Sequence, residues 1–575
     1  MGTTDGMPVD IRNERDLHDP WQNTDNKYDE SLNYFGLHVE DAWKKGYNGS
    51  GITIAVTDIG ISADIVDLRK NLNMELAYNF LDKTTDVSPE DIDNNYKAES
   101  MRYIDHGNRC ASIIAAEKGN GLCNAGIAFA GKVVPLKIFS VLYKHRIFIL
   151  NTSSDIMGAA LSYHIEDIHI YSNSWSPPRR FGPIDDVLAK AIFHGATKGR
   201  NGLGSIYVFP DGSDGITGSG YANNIYTIAV NSVNIGGSLP KNSEVSACVI
   251  TSGLGDGNRL NTNNMMTSSF NNACVGSFKG VSAAVAEVSA IIALVLQARS
   301  DLTLRDIQLL LAESSDLEGL AESKLFNRNA AGKYFHAVLG FGLLNADKAV
   351  TKAKTWRHVG KLYTNSLDYV RVHSETFEKR RQSVKMVTTI EFNMEADPYR
   401  PHVSTIEQVV LRIGHDVINQ EGVCVEIVSP SKTTSVIVDN TDGKNIDQDN
   451  APRDLTSVHF LGESPVGNWT VRIHFGQKSA LTNLGSTTSL TVYGTFNKTK
   501  ASKGKYTIMS STAADKLADG EDNFTENSKN IKEHVGNTMK PESGAASQKL
   551  FNNKLTYVLM GLIIKIYYTV LCQLH

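Results

Sequence analysis

Between residues 50 and 350 short apolar runs alternate with amphipathic helical stretches, and this alternation restricts the fold more than any other feature of the chain. Gly51–Val56 (GITIAV), Lys132–Ile138 (KVVPLKI), Ile168–Tyr171 with its flank, Ser205–Phe209 (SIYVF) and Ile225–Val230 (IYTIAV) read as buried strands. Gly107–Glu117, Ser154–Ile165 and Ile184–Lys198 read as helices between them. Such repetition predicts an α/β domain with a mostly parallel sheet and flanking helices, because each crossover carries a helix back over one face. Reactive residues of a sheet like this belong at the carboxyl ends of strands and on the turns that follow. Val281–Ala298 has the length of a marginal membrane span with Glu287 as its one charge. Its Ala and Ser content and its place inside the α/β region predict a buried central helix instead.

The pattern changes after about Lys354. Val409–Ile413, Val423–Val428, Thr434–Val438, Trp469–Phe475 and Ser489–Val492 alternate apolar and polar residues between turn signals, which predicts an all-β sandwich or barrel. The chain of 575 residues therefore divides into an N-terminal segment (1–45), an α/β domain (46–355), an all-β domain (356–500), a polar linker (501–550) and a hydrophobic tail (551–575). In the tail, Leu555–Leu571 is apolar but for Lys565, and small residues at Ser543–Ser547 precede it. A membrane span, a lipid-anchor signal and a packed tail helix are all compatible with that pattern.

Charge and cysteine usage exclude further classes. With 57 Lys and Arg against 62 Asp and Glu the net charge is −5, so no basic footprint for nucleic acid is expected. Six cysteines are too few for a disulfide-built scaffold of this length. Met1–Glu30 has no apolar run, so no secretory signal is expected at its start. Five Asn-x-Ser/Thr sequons, at Asn48, Asn151, Asn468, Asn497 and Asn523, nevertheless lean towards secretion.

Three islands carry groups that can do chemistry. Ile54–Gly60 is an apolar strand ending in Asp58; His106 opens a small-residue helix in DHGNRCASIIAA; and Ser282 lies in the first turn of the apolar helix, in GVSAA. Singly, each has an ordinary reading as a turn former, a core histidine or a helix cap. Their order along the chain, Asp then His then Ser, is that of subtilisin; chymotrypsin and the α/β-hydrolases have other orders, and no G-x-S-x-G elbow surrounds Ser282.

Six ordered islands carry a resemblance. They are D-I-G at Asp58, H-G-N-R-C-A-S at His106, G-N-G-L-C-N-A-G at Gly119, Y-S-N-S-W-S-P at Tyr171, G-S-I-Y-V-F-P-D-G-S-D-G at Gly204 and G-V-S-A-A-V at Gly280. On these the chain resembles the subtilisin/kexin-like proprotein convertases over nearly all of residues 16–500. S-A-A-V-A-E at Ser282–Glu287 leans towards their neuroendocrine type-two members, and Tyr363–Thr495 is similar to their P domain. The resemblance implies a serine endopeptidase acting on protein or peptide precursors in the secretory pathway (Golgi, secretory vesicle or extracellular). In it Asp58 orients His106, and His106 takes the proton of Ser282. It also implies a Cys123–Cys274 disulfide, a free thiol at Cys110, and a Ca²⁺ site built from Asp67, Asn120, the backbone oxygen of Leu122 and Asp19.

The departures matter equally. Ser213 stands where the family has its oxyanion-hole Asn, flanked by Asp211 and Asp214, whose charges would oppose a developing oxyanion. Acids expected for recognising paired basic residues are replaced by Ile59 and Ser219, and Ser176-Pro177 leads into Pro178, Arg179 and Arg180. An arginine of the substrate would meet positive charge there, so weak or absent dibasic cleavage is expected. A catalytically impaired pseudo-protease that binds proteins is the alternative.

Overall fold

In the computed structural model the described residues are 36–496 except 91–102, 145–146, 178–179, 213–216, 235, 242, 257–264, 322, 369–371, 381–382, 397–401, 419, 421, 441–450 and 477–487. Asp19, Ser213, Asp214, Pro178 and Arg179, the 501–550 linker and the 551–575 tail lie outside them.

Nine strands form the first sheet: β1 Thr53–Asp58, β2 Tyr78–Asn79, β3 Lys132–Lys137, β4 Ile170–Ser172, β5 Ile206–Pro210, β6 Ile228–Asn234, β7 Val249–Asp256, β8 Ser315–Asp316 and β9 Leu343–Leu344. Their order across the sheet is β8-β9-β7-β6-β5-β4-β1-β3-β2, and only the β8–β9 pair is antiparallel. From β1 the chain builds β3 on one side and later returns to place β4 on the other, so the strand order reverses at β1. A crevice opens at such a switch point beyond the carboxyl end of the strand, and Asp58 is that end.

Six helices cover this sheet: α1 His106–Ala115, α2 Ser154–Leu161, α3 Asp186–Lys198, α4 Val281–Ala298, α5 Leu304–Ser314 and α6 Ala346–Thr355. Side chains of a strand point alternately to opposite faces, and the core divides accordingly. Ile54, Val56, Ile170, Ile206 and Val208 pack with α1, α4, α5 and α6, whereas Ala55, Tyr171, Tyr207 and Phe209 pack with α2 and α3. α4 is the buried central helix expected from its composition; it crosses beneath β7, β6, β5, β4 and β1. Among the described residues three antiparallel hairpins, Ser140–Lys144 with Ile147–Asn151, Met265–Ser268 with Cys274–Phe278 and Asn327–Arg328 with Tyr334–Phe335, interrupt the α/β alternation.

The all-β part is a sandwich of two antiparallel sheets. One has the order β10-β18-β13-β16 and the other β11-β12-β17-β14-β15. These strands are β10 Leu362–Asp368, β11 Val372–Arg380, β12 Ser383–Met394, β13 Thr405–Ile413, β14 Val423–Val428, β15 Thr434–Asn440, β16 Arg453–Ser457, β17 Gly467–Phe475 and β18 Ser489–Thr495. Val409, Leu411, Leu490 and Val492 from one sheet meet Phe392, Val425, Trp469 and Ile473 from the other, as alternation requires. Trp469 is fully buried, and its indole N–H donates to the Pro465 carbonyl at 2.8 Å.

Polar contacts join the sandwich to the α/β part. Arg305 pairs with Glu407 at 2.6 Å, and the Asn329 amide donates to the His459 and Leu461 carbonyls at 2.9 and 3.0 Å.

Candidate active site

The carboxylate of Asp58 emerges from the end of β1 with both oxygens engaged. One accepts from the backbone N–H of Ile59 at 2.8 Å, and the other lies 2.8 Å from His106 Nδ1. His106 is the first residue of α1, and the close seat of that helix depends on Gly107. A Cβ at Gly107 would fall 2.2 Å from the Gly60 carbonyl oxygen and 3.2 Å from Asp58 Cβ. Both members of the pair are almost wholly buried, at 3% and 4% side-chain exposure. Burial is the largest influence on His106 and works against a protonated ring, but the charge and hydrogen bond of Asp58 together with the neighbouring Cys110 overcome it and lift the imidazole well above its ordinary pKa. The Cys110 thiol, one helical turn on, lies 3.9 Å from His106 Nδ1; it is free and buried, as the resemblance implies.

Ser282 lies in the first turn of α4, where backbone N–H groups have no partner within the helix and the dipole favours negative charge. The ring of Phe278, on the strand that leads into α4, sits edge-on to His106 with centroids 5.6 Å apart. Ser282 Oγ donates to the Ser174 carbonyl at 3.2 Å, and His106 Nε2 is buried without a hydrogen-bond partner among the described residues. The structure thus joins Asp58 to His106 and leaves the hydroxyl of Ser282 turned towards Ser174. Catalytic hydrogen bonds are often unmade before substrate binds, so this geometry is compatible with a resting site.

Two expectations about the surroundings are corrected. Asp211 does not aim its charge at an oxyanion. Its carboxylate accepts from the N–H groups of Gly218 and Ser219 at 3.2 and 3.4 Å, from the Ser246 hydroxyl and from the Cys248 thiol at 3.3 Å. Burial pushes its pKa up, which favours the neutral form. Nor does Arg180 present a free cation to a substrate. It is buried against Glu244 at 2.6 Å and donates to the Asp439 carbonyl at 2.7 Å.

Asp67, in the short helix Val66–Arg69, and Asn120, the two side-chain Ca²⁺ ligands that the resemblance implies, lie together, with the Asn120 amide nitrogen donating to the Asp67 carboxylate at 2.8 Å. The Ser268 hydroxyl, which sequence reasoning missed, donates to the other Asp67 oxygen. Leu122 adjoins them, its N–H donating to Asn120 Oδ1 at 2.9 Å. Burial raises the pKa of Asp67, and nearby Glu117 adds to the effect. Cys123 and Cys274 form a disulfide with Cα atoms 5.2 Å apart, tying this loop to the strand before α4. Ser174 and Glu244 were also missed as site residues. Ser174 lay within the quoted Y-S-N-S-W-S-P island, whereas nothing local marks Glu244 as the partner of Arg180.

Comparison with known proteins identifies the two folded parts of the chain. The profile of the subtilase family matches residues 49–342, and that of the proprotein convertase P-domain matches 406–486. Furin-1 of Xenopus laevis is 28% identical over 84% of this chain and 60% of its own length. Neuroendocrine convertase 2 of Drosophila melanogaster is 28% identical over 76% of this chain and 66% of its own. Proprotein convertase subtilisin/kexin type 6 of Rattus norvegicus is 30% identical over 76% and 45%. The chain thus spans less than two thirds of the length of each of these relatives. Among solved structures, the serine protease of Aeromonas sobria shares the fold, with a TM-score of 0.61 and 18% identity over 86% of this chain and 99% of that one. With a subtilisin-like sheet, a P-domain sandwich and both family profiles in sequence order, the chain belongs to the subtilase family and within it to the proprotein convertases.

Proposed function

We propose that this protein is a serine endopeptidase of the subtilisin/kexin class that cleaves protein or peptide precursors in the secretory pathway. The observation that carries the reading is the buried 2.8 Å contact of Asp58 with His106 at the strand-order switch, with His106 also against Phe278 on the strand that leads into the helix carrying Ser282 in its first turn. Asp58 holds the Nδ1 proton of His106, which leaves Nε2 to accept the proton of Ser282 as its Oγ attacks the scissile carbonyl. The oxyanion that forms meets N–H groups at the start of α4, with Ser213 as the side-chain donor. His106 then returns its proton to the leaving amine, and water repeats the sequence on the acyl-enzyme. The Cys123–Cys274 disulfide supports an oxidising compartment.

A Ca²⁺ ion fits the cluster at Asp67. What supports this is a buried carboxylate with a second one, Glu117, close by and the oxygen-bearing side chains of Asn120 and Ser268 beside it; ion binding would require the Asn120 amide, which now turns its nitrogen to Asp67, to present its oxygen instead. Asp67, the Asn120 amide oxygen and the Leu122 carbonyl would hold the ion, with Asp19 as a further ligand. When bound, it supplies the positive charge that the carboxylate lacks and fastens the loop to which the disulfide is attached.

The second reading, a pseudo-protease that binds proteins, is favoured by the unpartnered His106 Nε2 and the turned-away Ser282 hydroxyl. A fluorophosphonate probe separates the two. Stoichiometric labelling that disappears in Ser282→Ala supports the peptidase, and a folded chain that never labels supports the binding module.

A further inference from the structure

Arg180 and Phe181 belong in sequence to the α/β part but are held by the P domain. Phe181 is buried in the same apolar cluster as Phe392, Val425 and Trp469. Its φ of 51° is a left-handed conformation that a bulky side chain adopts only when its surroundings impose it. They do so from both sides. The N–H of Phe181 donates to the Thr217 carbonyl at 2.8 Å, and its own carbonyl accepts from Arg453 Nε at 2.6 Å. Gly218 leaves room for the ring, since a Cβ there would fall 2.2 Å from Phe181 Cδ1. Arg180 donates to Asn440 Oδ1 at 3.2 Å and to the Asp439 carbonyl at 2.7 Å, both at the end of β15, while pairing with Glu244.

Glu244 continues the connection inward. Its backbone N–H donates to the Gly212 carbonyl at 2.9 Å, and the Asn231 amide donates to the same oxygen at 3.3 Å. Gly212 immediately precedes Ser213, and Thr217–Ser219, which touches Phe181 and Asp211, follows on the other side. An unbroken series of buried contacts therefore runs from β15 through Arg180 and Glu244 to Gly212.

We infer that Arg180, Phe181 and Glu244 are positioning residues through which the P domain sets the backbone at Gly212 and at Thr217–Ser219. This rests on the peptidase reading above for its effect on rate, though not for the structural coupling itself. The pair also accounts for the departure at Arg180. Its cation neutralises Glu244 in a dry interface, where either charge alone would be strongly destabilising.

The test uses the full chain. Fluorophosphonate labelling of Ser282 and hydrogen–deuterium exchange are measured for the unaltered protein, Arg180→Met, Asn440→Ala and Arg180→Met with Glu244→Gln. Asn440→Ala alters only the P-domain side and keeps the test open should Arg180→Met fold poorly. We expect Arg180→Met and Asn440→Ala to slow labelling by about 10-fold or more, up to the loss seen when an oxyanion donor is removed. Exchange should rise in residues 206–212 while β12 and β17 stay protected. The double variant should recover much of the loss, because it leaves no buried charge unpaired. The inference is overturned if Asn440→Ala changes neither readout, or if Arg180→Met loosens every element alike. An unaltered chain that does not label sinks the peptidase reading, and exchange at 206–212 then decides the coupling alone.

Discussion

Ser282 and Ser174 exchange hydrogen bonds: the Ser282 hydroxyl donates to the Ser174 carbonyl at 3.2 Å, and the Ser174 hydroxyl donates to the Ser282 carbonyl at 3.0 Å. Ser174 lies just beyond the carboxyl end of β4, so this exchange fixes the start of α4 against the segment that leads to Arg180. The same exchange holds the nucleophile away from its base. On the proposed peptidase reading, the Ser282 hydroxyl has to leave the Ser174 carbonyl before His106 can take its proton.

Asp58→Asn tests the assignment of the base. His106 must be neutral to accept a proton, and Asp58 lifts its pKa well above the ordinary value of 6.5. Activity in the unaltered chain should therefore rise with pH through a midpoint above that value. An asparagine keeps the shape but removes the charge and can fix the wrong tautomer. A loss of about 10⁴ in rate is expected, with the remaining activity shifted to a lower midpoint. The pH dependence of fluorophosphonate labelling checks both, and an unmoved midpoint would show that Asp58 does not act on His106.

Glu287 predicts a pH dependence of stability. It is fully buried on α4, one carboxylate oxygen accepts from the Leu254 N–H at 2.6 Å, and the other has no hydrogen-bond partner among the described residues. Burial raises its pKa well above the ordinary 4.5. The unfolded chain then releases this proton at a lower pH than the folded one does. Stability from this group is full below 4.5 and falls as pH rises towards the folded pKa, by up to about 1.4 kcal/mol per unit. Glu287→Gln keeps the acceptor and removes the titration. Its melting temperature should exceed that of the unaltered chain at pH 8 by more than at pH 5; equal differences at both would contradict the assignment.

Legibility in the sequence followed the distance over which each signal acts. The β1 strand, α1 and α4 were readable because apolar runs and small-residue helices are local patterns, and Asp58, His106 and Ser282 stand at their ends. β7 is not legible as a strand because its sequence, VITSGLGD, is polar and glycine-rich although Val249–Leu254 is buried between β9 and β6. Arg180 was read as a cation facing substrate because its partners, Glu244 and the end of β15, lie 64 and about 260 residues away. Ser268 was missed for the same reason: only the fold brings it to Asp67, 201 residues earlier.

Removal of calcium should act through Asp67. A ligand that binds the folded state alone stabilises it by about 2.7 kcal/mol at a hundred times its dissociation constant. Chelation is therefore expected to lower the melting temperature by several degrees, and re-addition of Ca²⁺ to restore it. In Asp67→Asn the carboxylate becomes an amide that still bonds Asn120 and Ser268 but binds a cation far less well. That variant should melt at the same temperature with and without Ca²⁺. Unchanged calcium sensitivity in Asp67→Asn would place the ion elsewhere.

The positions expected to read paired basic residues carry Ile59 and Ser219, and their surroundings lead us to expect weak dibasic cleavage. Ile59 packs in an apolar cluster with Ile104 and Phe139, and Ser219 is fully buried with its hydroxyl accepting from the Ala222 N–H at 3.3 Å. The nearby carboxylates are engaged: Glu244 holds Arg180, and Asp211 is turned to Ser246, Cys248 and the 218–219 backbone. A substrate guanidinium entering here would lose its hydration without gaining an ion pair from any of these groups. Across a peptide panel, cleavage after neutral residues should equal or exceed cleavage after Arg-Arg and Lys-Arg. Ser219→Asp restores an acid at the position where the family carries one, and should raise kcat/KM for the basic peptides by about 10-fold or more, the scale of one charge-assisted contact in a site of low dielectric. Robust cleavage of paired-basic peptides by the unaltered protein would refute this account of the groove, whereas a gain confined to Ser219→Asp would locate the lost specificity at that one turn.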